Sequence, residues 1–118
     1  MAYSHSGKAV VFSRNDPIDP QSTDWVYFGY AAWLRENEEI ISHEALIENG
    51  TIVTDSTYLA SITDTDGTVH TNVYAVQITP GASGIVTVTH RVSTEVSPGA
   101  NLARLNIDHS IQIPITTL

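Results

Sequence analysis

The chain has 118 residues, 42 % of them apolar and 15 % charged, a balance that fits one folded domain with a real core and argues against disorder. Thirteen Asp and Glu stand against five Lys and Arg, a net charge of −8, and the cations Lys8, Arg14, Arg35, Arg91 and Arg104 are scattered; this argues against nucleic acid, whose phosphates need clustered cations. The absence of cysteine excludes disulfides and thiolate catalysis, and no apolar run approaches the roughly 18 residues of a membrane span.

The absence of cysteine fits a reducing cytoplasm, and the N-terminus shows no apolar signal-peptide segment. Residues 7–13 form a short first strand. Residues 15–23 carry Pro17 and Pro20 and form an extended linker, because proline fixes φ and donates no hydrogen bond. Residues 1–23 are thus an N-terminal strand and arm of a single domain over residues 1–118. The stretch 24–47 holds both tryptophans together with Tyr27, Phe28 and Tyr30, and is the expected plug of the core. Within it, residues 29–37 are expected to make a short helical turn near Ala31 to Arg35, given Ala31, Ala32, Leu34, Arg35 and Glu36.

Residues 39–48 read as a strand covered on much of both sides, with Ile41 facing the core. Asn49-Gly50 is a turn signal; Asn49-Gly50-Thr51 also matches a glycosylation sequon, read here as that turn. Strands are expected at 51–54, 56–63 and 68–79, with turns at 64–67 and 80–84. The last third alternates most cleanly. Val86, Val88, His90 and Val92 share one face, as do Leu105, Ile107, His109, Ile111 and Ile113, with polar residues between them. A turn at 97–101 joins the two strands. Pairing residues whose numbers sum to 199 puts Val92 opposite Ile107 and Val88 opposite Ile111, both inward. It also gives the outward ion pairs Arg91–Asp108 and Glu95–Arg104, which select register more than they stabilise. The expected fold is all-β, an antiparallel β-sandwich of about seven strands with one short helical turn.

The same register sets His90 opposite His109. They are either a metal half-site or pH switch, or two neutral imidazoles hydrogen-bonded to each other or to backbone. No carboxylate or third histidine joins them on that face, which favours the neutral pair, so no metal and no cofactor is expected. Catalytic motifs are missing: there is no Gly-x-Ser-x-Gly elbow and no phosphate-cradling glycine loop, and an EF-hand opening at Asp64 would need Glu where Ala75 stands. Glu36, Glu38 and Glu39 read as a solvated loop face. An enzyme is not expected. Trp33 and Leu34 belong to the core, whereas Trp25 and Tyr27, beside Pro17 and Pro20, are the candidates for touching a partner.

An Asp-Pro step before Asp24-Trp25, then Trp33-Leu34, Glu39-Ile40-Ile41-Ser42, Gly50-Thr51-Ile52-Val53, the run Val88-Thr89-His90-Arg91-Val92-Ser93-Thr94 and finally Ala103-Arg104-Leu105 resemble a family of small tailed-bacteriophage virion proteins, the fibre–tail adaptors. The family usually has Gly-Arg before its last strand; Ala103-Arg104 keeps the arginine alone. The resemblance implies an Ig-like sandwich without catalysis. It also implies a place in the virion, reached from the host cytoplasm during assembly, through homo-oligomeric contacts and contacts to tail, neck, fibre or capsid proteins. A capsid decoration (cement) protein is the alternative within that class. A carbohydrate-binding module, with Trp25 or Tyr27 stacking on sugar, is the alternative outside it.

Overall fold

A computed structural model of the chain describes residues 10–11, 17–64, 66–97 and 103–116. Among them there are two antiparallel sheets and no helix. The first sheet has the order β1 (Val10–Val11), β2 (Asp24–Gly29), β5 (Val69–Pro80), β4 (Gly50–Thr63). The second has β3 (Glu38–Glu48), β6 (Ile85–Val96), β7 (Ile107–Pro114). β1 is a two-residue segment along the edge of β2, and the other residues expected in that first strand lie outside those described. Val26, Phe28, Tyr74, Val76 and Ile78 of the first sheet share one apolar core with Val86, Val88, Val92 and Ile113 of the second, an arrangement consistent with a β-sandwich. Each large side chain so buried contributes about 1.5–3 kcal/mol before the entropy of ordering is counted.

The aromatic stretch divides into two parts. Residues 24–29 are a strand, not foreseen as one, with Val26 and Phe28 turned inward and Trp25 and Tyr27 outward. After it, the amides of Trp33 and Leu34 both donate to the carbonyl of Tyr30, at 3.0 Å each. This is one closed turn and not a helix: the segment is too short to propagate, and what fixes it is burial of Tyr30 and Trp33. Leu34 packs against the core only in part.

β3 enters the core differently from the expectation. The register shifts between Ile40 and Ser42, and the extra residue, Ile41, is pushed outward and is 56 % exposed. Ile41 is therefore not core. Ile41→Thr is expected to change stability by no more than about 0.5 kcal/mol, as read by chemical denaturation.

Asn49-Gly50 makes a corner between sheets, since β3 pairs with β6 and β4 with β5. Asn49 adopts a left-handed φ of 61°, and its side-chain amide donates to the carbonyls of Ser83 (2.8 Å) and Ile85 (3.1 Å). Its own carbonyl accepts the Gly81 amide at 2.9 Å. One residue thus stitches the β3–β4 corner to the β5–β6 corner, and a Cβ at position 81 would collide with its side chain. Asn49→Ala loses both the bonds and the tolerance of positive φ, and is expected to destabilise by about 1–2 kcal/mol in thermal melts. Asn49→Gly, which keeps the φ, should recover part of that loss.

β4 is one strand where two were expected, carried through register shifts after Ile52 and Thr54. At the second shift Asp55 accepts the Ala45 amide of β3 at 3.0 Å, tying the edges of the two sheets together. The turn at 64–67 closes a β4–β5 hairpin, with Gly67 at φ 91°. The arm is less free than its prolines suggest. Ile18, between them, is 1 % exposed and forms a parallel bridge to Ile115.

The closing strands pair Val92 with Ile107, His90 with His109, Val88 with Ile111 and Val86 with Ile113, the register given by alternation. Val88 and Val92 are fully buried, and Ile107 and Ile111 pack partly against the core. On the outer face Arg91 and Asp108 form a two-bond pair, at 2.7 and 3.0 Å. The second proposed pair, Glu95–Arg104, is not formed. β7 begins only at Ile107, so Arg104 precedes the ladder and its side chain turns inward, while Glu95 stands opposite Glu39 of β3. Of the expected turn at 97–101, only Ser97 is among the described residues.

Candidate functional site

Polar side chains gather between the sheets in two adjoining groups. In the first, alternation brings His90 of β6 and His109 of β7 inward side by side, and the turn after β2 drops Tyr30 between them. The Tyr30 hydroxyl lies 2.6 Å from His90 Nδ1 and 3.3 Å from His109 Nδ1. The two imidazoles therefore meet through a phenol and do not bond to each other. On its other side His90 Nε2 is 2.6 Å from Ser56 Oγ of β4, which in turn is 2.7 Å from Nδ1 of the exposed His43 of β3. One chain of hydrogen bonds crosses the sandwich: His43, Ser56, His90, Tyr30, His109.

The protons can be placed consistently along it. If Tyr30 donates to His90 Nδ1, then His90 Nε2–H donates to Ser56, whose hydroxyl donates to His43, and His109 Nδ1–H donates to Tyr30. Reversing every bond satisfies the chain equally. In both patterns His90 is neutral. Burial pulls its pKa down to about 3, and the neighbouring His43 and His109 add to that. Burial likewise pushes the Tyr30 phenol upward, with Tyr74 adding to it. Phe28 stacks on His90 at a centroid distance of 5.1 Å, and Trp33 meets His109 edge to face at 5.0 Å.

The second group surrounds Glu38, whose side chain is fully buried at the start of β3 and is not part of a solvated loop face. Arg104 grips it with two bonds, at 2.6 and 3.0 Å, and Arg35 adds its guanidinium and its amide. The Thr94 hydroxyl donates a further bond. The Arg104 guanidinium also lies 3.8 Å over the Trp33 ring and donates to the Trp33 carbonyl. Burial alone would raise the Glu38 pKa, but the bonds from Arg35, Arg104 and Thr94 outweigh it and hold the carboxyl well below the usual range.

Chemically, Ser56–His90–Tyr30 has the outline of a nucleophile, a base and an orienting group. Two features weigh against that use. Burial holds the His90 pKa at about 3, which makes it a weak proton acceptor at neutral pH, and the Ser56 amide is bonded to Asp55. Among the described residues no three of His, Cys, Asp and Glu are grouped so as to hold a metal.

No family model matches the chain, and no curated sequence matches it.

The remaining expected site residues lie elsewhere. Trp25 (37 % exposed) and Tyr27 are on the outer face of the first sheet, two positions apart on β2, and Pro17 is exposed with Pro20 partly so. They do not converge with the histidines. Sequence reasoning missed Tyr30 as the link between the imidazoles, Ser56 as the second partner of His90, and Glu38 as a buried charge. For Glu38 a signal existed: it opens the strand one place before Glu39 and two before Ile40, so with Ile40 inward it must face inward as well.

Proposed function

We propose that the chain is a non-enzymatic structural protein with an Ig-like sandwich, acting as a virion adaptor that joins tail or neck to fibres in a tailed bacteriophage. The orders β1-β2-β5-β4 and β3-β6-β7 correspond to the A-B-E-D and C-F-G sheets of a seven-stranded Ig constant-type domain, which supports the Ig-like reading. The observation that carries the non-enzymatic reading is that Glu38, Ser56 and His90 are already engaged: Glu38 accepts from Arg35, Thr94 and Arg104, and Ser56 and His90 occupy each other. The bacteriophage reading rests on the motif resemblance, from Asp24-Trp25 to Arg104-Leu105. Homo-oligomeric contacts within the particle belong to the same reading, and a capsid decoration role is its variant.

The test is co-purification. In particles produced by the genome that encodes it, the chain should be present at a fixed copy number, and a reconstruction should locate it at the tail, the neck or the capsid surface. Its absence from purified particles overturns the reading. One observation favours a carbohydrate-binding module instead: Trp25 and Tyr27 present two aromatic side chains on one exposed face. A glycan array separates the two, because an adaptor has no saccharide preference.

A further inference from the structure

We infer that Asn49-Gly50 is a deamidation site gated by the fold: the closed corner protects it, opening of the corner exposes it, and the product cannot close the corner again. It is the only Asn-Gly step in the chain, and every other asparagine is followed by a residue that carries a side chain. The difference matters because the reaction is an attack along the backbone, and glycine leaves its path clear. The Gly50 amide nitrogen loses its proton and bonds to Asn49 Cγ, the bond from Cγ to the side-chain nitrogen breaks, and ammonia leaves. Water then opens the succinimide at one of its two carbonyls. The product is aspartate or, with the main chain rerouted through the side chain, isoaspartate. Water is the only co-reactant, and nothing is oxidised or reduced.

Three observations locate the gate. First, Asn49 and Gly50 are both exposed, so water and hydroxide reach them and burial is not what protects them. Second, the Asn49 side-chain nitrogen donates to the carbonyls of Ser83 at 2.8 Å and Ile85 at 3.1 Å. These bonds tie it to the β5–β6 corner, so Cγ cannot swing onto the Gly50 nitrogen, nor ammonia depart, until both are broken. Third, the main chain is pinned on either side of the reacting bond. The Asn49 carbonyl accepts the Gly81 amide at 2.9 Å, and Gly50 opens β4 opposite Pro80. Reaction therefore needs the corner to open, and only the opened fraction reacts.

The same contacts exclude the product. An aspartate carboxylate accepts hydrogen bonds and donates none, and at position 49 it would face two carbonyl oxygens. Isoaspartate adds a methylene to the main chain between β3 and β4, whose registers with β6 and β5 are set on either side of the corner. An opening that ends in reaction is thus one-way, and the modified fraction accumulates with every opening.

This inference is independent of the virion reading, because it concerns the isolated chain. The experiment incubates the full chain in mildly alkaline buffer, with and without unfolding urea, beside a peptide spanning Glu48 to Ile52. Isoelectric focusing reads the added negative charge, and peptide mapping with isoaspartate methyltransferase labelling assigns it to a residue. The expected result is that the unfolded chain reacts at Asn49 as fast as the peptide, and the folded chain more slowly by about tenfold or more. Gly84→Ala puts a side chain at a φ of 93° in the corner that holds Asn49, and should speed the reaction of the folded chain but not of the unfolded one. Asn49→Asp, the product made by substitution, should melt below the parent. Equal rates in the folded and unfolded chains, no acceleration in Gly84→Ala, or an Asn49→Asp chain that melts with the parent would each overturn the inference.

Discussion

Glu38→Ala is expected to lower stability by about 3–5 kcal/mol, the usual consequence of removing one partner from a buried ion pair. The reason lies in what stays behind. The Glu38 side chain is fully buried and accepts from two guanidinium groups, a hydroxyl and a backbone amide. Without it, the Arg104 guanidinium remains over Trp33 with its charge uncompensated, and the Thr94 hydroxyl loses its acceptor. The loss should appear as a fall in melting temperature of roughly 10–20 °C for a domain of this size. Glu38→Gln, which keeps the shape and part of the bonding, should cost less. A melting temperature within a few degrees of the parent for Glu38→Ala would show that the carboxylate is not what holds the β3 start to the segment before β7.

Acid is expected to weaken the fold well before its carboxylates titrate. An imidazole in the unfolded chain has a pKa near ~6.5. In the folded chain burial holds His90 at about 3, with His43 and His109 reinforcing the shift. A depressed folded value means that the unfolded state takes up the proton first. The stabilisation is therefore complete above pH ~6.5 and declines as the pH falls from there toward the folded value. Between pH 7.5 and 4.5 this one group should remove up to about 2.7 kcal/mol, or 1.36 kcal/mol for each pH unit below the unfolded pKa. Glu38 acts in a separate, lower window, because its depressed pKa makes its contribution decline only once unfolded carboxylates begin to protonate. Denaturation curves at half-unit intervals should show the first decline in the parent and not in His90→Gln, which retains hydrogen-bonding capacity but does not titrate. A parent whose stability is flat from pH 7.5 to 5 would contradict the burial of His90.

How much of this was legible in the sequence depended on how local the governing contacts are. The closing strands alternate between a dry and a wet face, so Val86, Val88, Val92, Ile107 and Ile111 disclosed the face, and the charges Arg91 and Asp108 disclosed the register. The same rule misplaced Arg104, because alternation continues through Leu105 although the ladder starts at Ile107. The partner that captures Arg104, Glu38, is 66 residues away. β2 was hidden by its company: Val26 and Phe28 alternate with Trp25 and Tyr27, but all four are large, so period two shows no polar face. Ile41 was misread because a one-residue bulge reverses the inward side of a strand and leaves no mark in composition. In the candidate site the His90–His109 pairing followed from register. The phenol between them comes from a turn 60 residues upstream of His90, and only the packed fold brings it there.

The bridge between Ile18 and Ile115 has a mechanical consequence. Ile18 donates to the Pro114 carbonyl at 2.9 Å and accepts from the Thr116 amide at 2.8 Å, and the Ile115 amide is held by the Gly84 carbonyl at 2.8 Å. The two segments run parallel, so a pull toward the N-terminus on Ile18 and toward the C-terminus on Ile115 loads these bonds together, in shear, where an antiparallel hairpin would open one bond at a time. The chain thus carries a latch against tension where the segment before β2 meets the segment after β7.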